Sequence, residues 1–401
     1  MTDAALAVPD SQASSYEALM ARARALVPRL RERAQRTEEL RRLPEETKRD
    51  LHDSGLFRIV QPKRVGGAEL DYVSLVDFPA ELAKGCASTG WLLANLASHH
   101  WMLGLFPEAA QDRIWSESPD ALIASSFVFS AGRARRVDGG YVVSGRWPFS
   151  SGVDSSDWNM LTAFVETGEG PPEQRIFLLH RSAYGIIDTW RAAGLRGTES
   201  NDVECRDVFV PGEMTLAVSA LKGGPTPGSA ANPNPLYALP VFALFPFVIS
   251  GVALGNAEGV WADYVASIRG RASRYTGARI AELQTTQIKI AEAGARIDTA
   301  RRIMRGACLE AMDEARRGVV PDIEAKLRYR RDGAYSARLC TEAVDILFAA
   351  SGAGGLYESN HLQRAFRDAH AIAAHIVFNF DVAGAAYGRV AAGFETDNAT
   401  L

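Results

Sequence analysis

Helical periodicity occupies both ends of this chain and stops in the middle. Near the start, Tyr16, Leu19, Met20, Ala23, Leu26, Val27 and Leu30 recur at three- and four-residue steps, the spacing of one buried helix face. From about Asp120 the texture changes. ALIASSFVFS, WNMLTAFVE, RIFLLHR and VECRDVFVP are short, rich in β-branched and aromatic residues, and separated by Gly, Pro, Asp or Ser, the pattern of antiparallel strands. VDGGYVVSG predicts a hairpin that turns at Asp138-Gly139 or Gly139-Gly140. A loop rich in Gly, Pro and Asn, Gly223 to Pro235, closes this region, and the helical period then returns.

A chain that reads helical, β, helical, without internal repeat, predicts three successive units: a helical domain over 16–119, an antiparallel β-domain over 120–235 and a four-helix bundle over 236–401. Residues 1–15 read as a disordered lead with no basic-then-apolar signal. In the first unit, Pro44 suits the opening of a helix and Gly55 its C-cap. The stretch 88–106 is hydrophobic nearly all round and predicts a buried helix. The last helix spans about 362–391, with an interruption near Gly384.

Charge and cysteine usage exclude several classes. With 44 Lys+Arg against 48 Asp+Glu the net charge is −4, so neither nucleic acid nor an anionic membrane is an expected partner. The most apolar run, Leu236 to Leu254, is broken by Pro240, Pro246, Ser250 and Gly251. It reads as a buried segment entering a helix, not a membrane span. Cys86, Cys205, Cys308 and Cys340 are far apart, with no C-x-x-C. Neither a metal cage nor a disulfide framework is expected, and a reducing cytoplasm fits.

Four local patterns, in order, resemble the acyl-CoA dehydrogenase fold: LHDSGLFRIVQPKRVGGAELD, GRWPFSSG, GLRGTESNDVECRDVFVP and SGAGGLYESNHLQRAFRDA. The resemblance covers about residues 20–395 and implies an α+β, mostly α architecture. Many dehydrogenases of this fold carry a glutamate base eight residues after the Arg-Asp pair. Here that position is Ile376, beside His375. The C-terminal pattern His375, Asn379, Asp381 and Tyr387-Gly388-Arg389 instead resembles the two-component (group D) flavin monooxygenases of this fold. These include the oxygenases of p-hydroxyphenylacetate, secosteroid phenols, indole and indole-acetate. The resemblance implies reduced flavin, FADH2 or FMNH2, delivered by a separate NAD(P)H:flavin reductase. It also implies O2 as co-substrate, a flavin hydroperoxide, hydroxylation of a small phenol or indole, and a homotetramer. An oxygenase acting on an amine or sulfide, and an acyl-CoA dehydrogenase with its base on another helix, are the alternatives. No GxGxxG follows a strand, which suits an enzyme that does not itself bind NAD(P)H.

The same resemblance names candidate site residues. Ser150 matches a hydroxyl that bonds the central flavin ring, with Ser151 as competitor. Trp147 packs either on the flavin or in the core. Trp91 and His99 match a Trp–His pair near flavin and substrate; eight residues is just over two helical turns, so both can face one pocket. His99 would bond a substrate hydroxyl or a peroxide oxygen; as a bare observation, His99 and His100 on an apolar helix also suit core packing. Ser125 and Ser126 match a flavin-facing strand. Arg271 and Arg274, in RGRASRYTG, are candidates to grip flavin phosphate, frequently across a subunit interface. Trp101, Phe242, Phe245 and Phe247 suggest a neutral aromatic substrate cavity. His375 is the candidate acid–base group, because imidazole titrates near the useful range; packing or capping is its structural alternative. No second His or acid stands at metal-ligand spacing, so no metal is expected.

Overall fold

The computed structural model describes residues 15–166, 171–273, 275–396, 398 and 400–401. Most of the expected lead, residues 1–14, and Arg274 lie outside the described residues. Ser15 caps the first helix, its hydroxyl accepting the Ala18 N–H at 3.2 Å.

Among the described residues, five α-helices form the first unit: α1 (Tyr16–Leu40), α2 (Glu45–Ser54), α3 (Ser74–Ala83), α4 (Ala87–Leu103) and α5 (Glu108–Trp115). Every residue of α4 is buried, as its all-round apolar sequence predicts. Eight strands follow among the described residues: β1 (Ile123–Ser126), β2 (Gly132–Val137), β3 (Gly140–Ser150), β4 (Trp158–Val165), β5 (Glu173–His180), β6 (Gly185–Ile187), β7 (Asn201–Pro211) and β8 (Thr215–Ala217). They form one sheet in the order β6-β7-β3-β2-β4-β5-β8, with β1 beside β4. Pairing is antiparallel except that β1 and β2 each run parallel to β4. The β2–β3 hairpin turns at Asp138 and Gly139, and Gly139 supplies the positive φ of 73°.

The third unit holds α6 (Val241–Ile268), α7 (Gln284–Arg316), α8 (Ile323–Ser351), α9 (His361–Ala373) and α10 (Phe380–Ala391). By length and composition α6 could cross a membrane, but its apolar window is 89 % buried inside the fold. It packs directly on α3: a Cβ at Gly255 would stand 1.8 Å from the Ala80 carbonyl, so glycine is required for that approach. Asp77 of α3 accepts the Tyr16 hydroxyl at 2.7 Å and pairs with Arg305 of α7, tying the first and third units together.

The expected last helix is two helices, and the break falls at residues 374–379, not at Gly384. Polar side chains make it. His375 Nδ1 accepts the Val377 N–H at 3.3 Å, and Asn379 Oδ1 accepts the Val382 N–H at 3.1 Å to cap α10. Histidine therefore leaves the helix at this point and turns toward α4 and α6.

Candidate active site

Trp91, Asn95 and His99 lie one helical turn apart and share one face of α4. Asn95 Nδ2 donates to the Trp91 carbonyl at 2.8 Å. His99 Nδ1 stands 2.6 Å from the Ile123 carbonyl of β1. A carbonyl only accepts, so Nδ1 carries the proton and Nε2 holds a lone pair. That Nε2 is buried and has no hydrogen-bond partner among the described residues.

Around it stands a cage of rings. Phe127, in the β1–β2 loop, meets His99 edge-on at 6.1 Å. Phe127 also meets Phe242 at 6.1 Å and Phe245 at 5.8 Å, both in the first turns of α6. Phe245 stacks on His375 at 6.4 Å, and His375 lies 5.7 Å from Trp91. Thus α4, the β1–β2 loop, α6 and the α9–α10 break converge on one aromatic space. Burial pushes both His99 and His375 down to about 4, so both are neutral at pH 7. They present opposite tautomers. Because the Val377 N–H donates to Nδ1 of His375, that ring keeps its proton on Nε2.

The end of β3 borders this cage. Register shifts by one bulge between Trp147 and Ser150, and Phe149 takes a positive φ of 62°. Ser150 is wholly buried and accepts the Asn159 side-chain N–H at 2.9 Å. Ser151 faces the cage: its Oγ accepts the Trp91 indole N–H at 3.0 Å, and it bridges to Ser125 of β1. The neighbouring Ser126 hydroxyl is spent on the Pro148 carbonyl at 2.6 Å. Of the two competing serines, Ser151 is the one beside Trp91.

Four candidates stand outside this chain's cage of rings. Trp147 is core: its indole donates to the Thr162 carbonyl at 2.6 Å, and Gly132 and Gly145 press on its ring. Trp101 is also wholly buried, donating to the Leu236 carbonyl at 2.8 Å with its ring against Tyr72 at 5.0 Å. Phe247 is buried two residues beyond Phe245, about 200° around the helix and so on the opposite face. Arg271 follows the far end of α6, about 40 Å along the helix from Phe242 at 1.5 Å per residue. It lies near Gly354, in the Gly-rich turn after α8. His100 is structural, its Nδ1 facing the Trp115 indole N–H at 3.2 Å.

The structure adds residues that sequence reasoning passed over. Asn95 was legible as the middle member of the Trp91–His99 face. Phe127 was hidden because it lies just past a strand, where period carries no signal. Asp368 is buried, pushed up to about 6 by that burial, and accepts the Leu195 N–H at 2.6 Å. Seven residues before His375, it pins the 194–200 loop to α9.

The residues present fit a flavin. Phe149 is 64 % exposed and Ile376 70 % exposed. They adjoin the Ser150–Ser151 pair and His375, and a planar aromatic group would cover them. A lone pair at buried His99 Nε2 and an acceptor at Ser151 supply polar partners nearby.

Comparison with known proteins agrees. Residues 14–117 match the family described as acyl-CoA dehydrogenase, N-terminal domain, and residues 247–380 the acyl-CoA dehydrogenase, C-terminal domain. The chain is 35 % identical to the FADH(2)-dependent resorcinol hydroxylase, oxygenase component, of Rhizobium sp. (strain MTP-10005), over 98 % of this chain and 99 % of that one. It is 36 % identical to the flavin-dependent monooxygenase, oxygenase subunit HsaA, of Rhodococcus jostii (strain RHA1), over 92 % and 97 % of the two. Among solved structures, 3-HSA hydroxylase from Rhodococcus sp. RHA1 superposes with a TM-score of 0.90 at 35 % identity, covering 96 % of this chain and 99 % of that one. XiaF from Streptomyces sp., in complex with FADH2 and glycerol, gives 0.89 at 29 % identity, covering 96 % and 97 %. Similarity of this extent, over a fold whose aromatic cage carries two neutral histidines and no glutamate at position 376, makes the chain a member of the oxygenase components of two-component flavin-dependent monooxygenases, built on the acyl-CoA dehydrogenase fold.

Proposed function

We propose that this oxygenase hydroxylates a small phenol or indole, with reduced flavin, FADH2 by the names of its relatives, supplied in the cytoplasm by a separate NAD(P)H:flavin reductase. The observation that carries the reading is the unpartnered His99 Nε2 inside a cage of aromatic rings. A buried acceptor without a partner is costly. A substrate O–H or N–H satisfies it and turns the ring in the cage. Bound reduced flavin supplies the electrons and the activated oxygen atom.

The protein's own part is binding, orientation and proton transfer. Attack on a ring carbon makes the attached O–H strongly acidic, so a lone pair of depressed basicity still takes its proton. That role belongs to His99, whose Nε2 is free. His375 offers an Nε2–H instead, placed to donate to an oxygen in the cage. The proton-accepting role expected of His375 therefore passes to His99. Trp91, Phe245 and Phe127 exclude water and hold the ring by their faces.

Arg271 and the Gly-rich turn at 352–356 stand at the bundle end remote from this chain's own cage. A phosphate gripped there belongs to a flavin bound by another copy. Exposed Leu356, Tyr357 and Val382 further support a homotetramer. The test is a panel of phenols and indoles with reduced FAD and air, scoring substrate consumed against hydrogen peroxide released. Coupled consumption of at least one phenol or indole is expected; peroxide alone with every member refutes the proposal.

A further inference from the structure

Ser151 is the first member of a chain of hydroxyl groups that runs away from the cage. Its Oγ lies 2.9 Å from Ser200 Oγ, which lies 2.7 Å from Thr198 Oγ1, which lies 2.9 Å from the Leu195 carbonyl. All three hydroxyl residues are buried. The chain has a direction, because its last member is a carbonyl and can only accept. The Thr198 hydroxyl donates to it, beside the Trp190 indole N–H at 2.9 Å and the Thr198 backbone N–H at 3.2 Å that the same oxygen accepts. With its single proton spent, Thr198 can only accept from Ser200. Ser200 then has no proton for Ser151, so Ser151 donates to Ser200. The other partner of Ser200, the Thr198 carbonyl at 3.4 Å, draws its proton the same way. At the near end the Trp91 indole N–H donates into Ser151 at 3.0 Å. Ser151 thus receives one proton, gives its own away, and keeps one lone pair.

The far end is held in place. Leu195 has a positive φ of 50°, and its N–H is bound by Asp368 at 2.6 Å. Gly197 N–H donates to Ser88 Oγ at 3.2 Å, fixing the same loop against α4. Each bond polarises the next, which strengthens the acceptor at Ser151.

We infer that Thr198 and Ser200 are positioning residues: they fix the Ser151 hydroxyl as a hydrogen-bond acceptor toward the flavin, and so make the site select the reduced form. The inference rests on the flavin use proposed above. The central-ring nitrogen of a reduced flavin carries a hydrogen, whereas in oxidised flavin it is a lone pair. An acceptor bonds the first and repels the second. If the chain ran the other way, Ser151 would donate and the preference would be for oxidised flavin.

The test is the ratio of dissociation constants for oxidised and reduced FAD, measured anaerobically by fluorescence titration without turnover. The parental protein is expected to bind reduced FAD more tightly. Ser200→Ala frees the Ser151 proton, and the ratio should fall about three- to tenfold, the worth of one hydrogen bond; Thr198→Val leaves Ser200 only the 3.4 Å bond to the residue-198 carbonyl and should lower the ratio by a smaller factor. Thr198→Ser keeps the chain and should keep the ratio. Parallel weakening of both forms, with the ratio unchanged, overturns the inference and leaves the loop a purely structural support. If the parental protein binds neither form, the functional proposal fails and takes this inference with it. Parental preference for reduced FAD with unaltered ratios in both variants sinks this inference alone.

Discussion

Replacing His99 by asparagine separates its two nitrogens. The asparagine side-chain amide reaches the position of Nδ1 and can keep the 2.6 Å bond to the Ile123 carbonyl, but it has nothing at Nε2. Stability should therefore change by no more than about 1 kcal/mol, since the buried carbonyl stays paired. His99→Ala, by contrast, orphans that carbonyl and leaves a hole, and should cost about 2–4 kcal/mol. For chemistry the two variants converge. Both lose the acceptor for the substrate proton, and assistance of that kind is worth about 10²–10⁴-fold. Product formation at saturating substrate should fall by at least about 10²-fold in His99→Asn, with hydrogen peroxide rising in step. Reduced-FAD binding should be retained. The assay follows product and peroxide together after mixing anaerobic enzyme and reduced FAD with oxygenated substrate, alongside urea unfolding. Parental turnover and coupling in His99→Asn would refute the role given to Nε2.

Three further outcomes follow from the geometry. Ser151→Ala should raise peroxide release several-fold, whereas Ser150→Ala, which removes a hydroxyl bonded to Asn159, should lower stability by about 1 kcal/mol with coupling preserved; the reverse pattern moves the flavin contact to Ser150. Stability should fall on acidification. Burial holds His99 and His375 at about 4 and His100 at about 3, below the unfolded value, so unfolded chains take up protons that the fold refuses. From pH 6.5 to 5 each costs about 2 kcal/mol. Asp368, raised to about 6, works in the opposite sense and returns about 1.4 kcal/mol between pH 6 and 5. A net loss of roughly 3–5 kcal/mol is expected by urea unfolding, and unchanged stability at pH 5 contradicts the burial of these rings. Light scattering should give a tetramer at micromolar concentration, and Arg271→Ala should weaken FAD binding without touching the cage; a monomer that binds FAD tightly refutes both.

Much of the fold was legible because its signals are periodic. The buried α4, the β2–β3 hairpin and the apolar α6 all follow from spacing that needs no partner to be read. Failures came where a local pattern served a tertiary purpose. The break at His375 carries neither Gly nor Pro; two side-chain caps make it, and Gly384 is tolerated inside α10. Trp147 sits in a motif that suggests a cofactor, yet a strand side chain alternates faces, and its face is the core. Phe247 and Trp101 belong to helices whose other faces line the cage. Of the α6 aromatics, Phe242 and Phe245 share one side and Phe247 does not, a distinction the helical angle alone could have drawn. The hydroxyl chain through Ser200 and Thr198 was invisible, since it joins β3 to a loop about fifty residues away through single small side chains.

The central claim is that reduced flavin and O2 place one oxygen atom on an aromatic ring in this cage. Single-turnover mixing of anaerobic enzyme and reduced FAD with 18O2 and a neutral phenol tests it most directly, read by mass spectrometry of the product. One 18O atom in the new hydroxyl, falling with His99→Asn, is the predicted result. Product without label, or 18O recovered only as peroxide for every phenol and indole offered, would contradict the account.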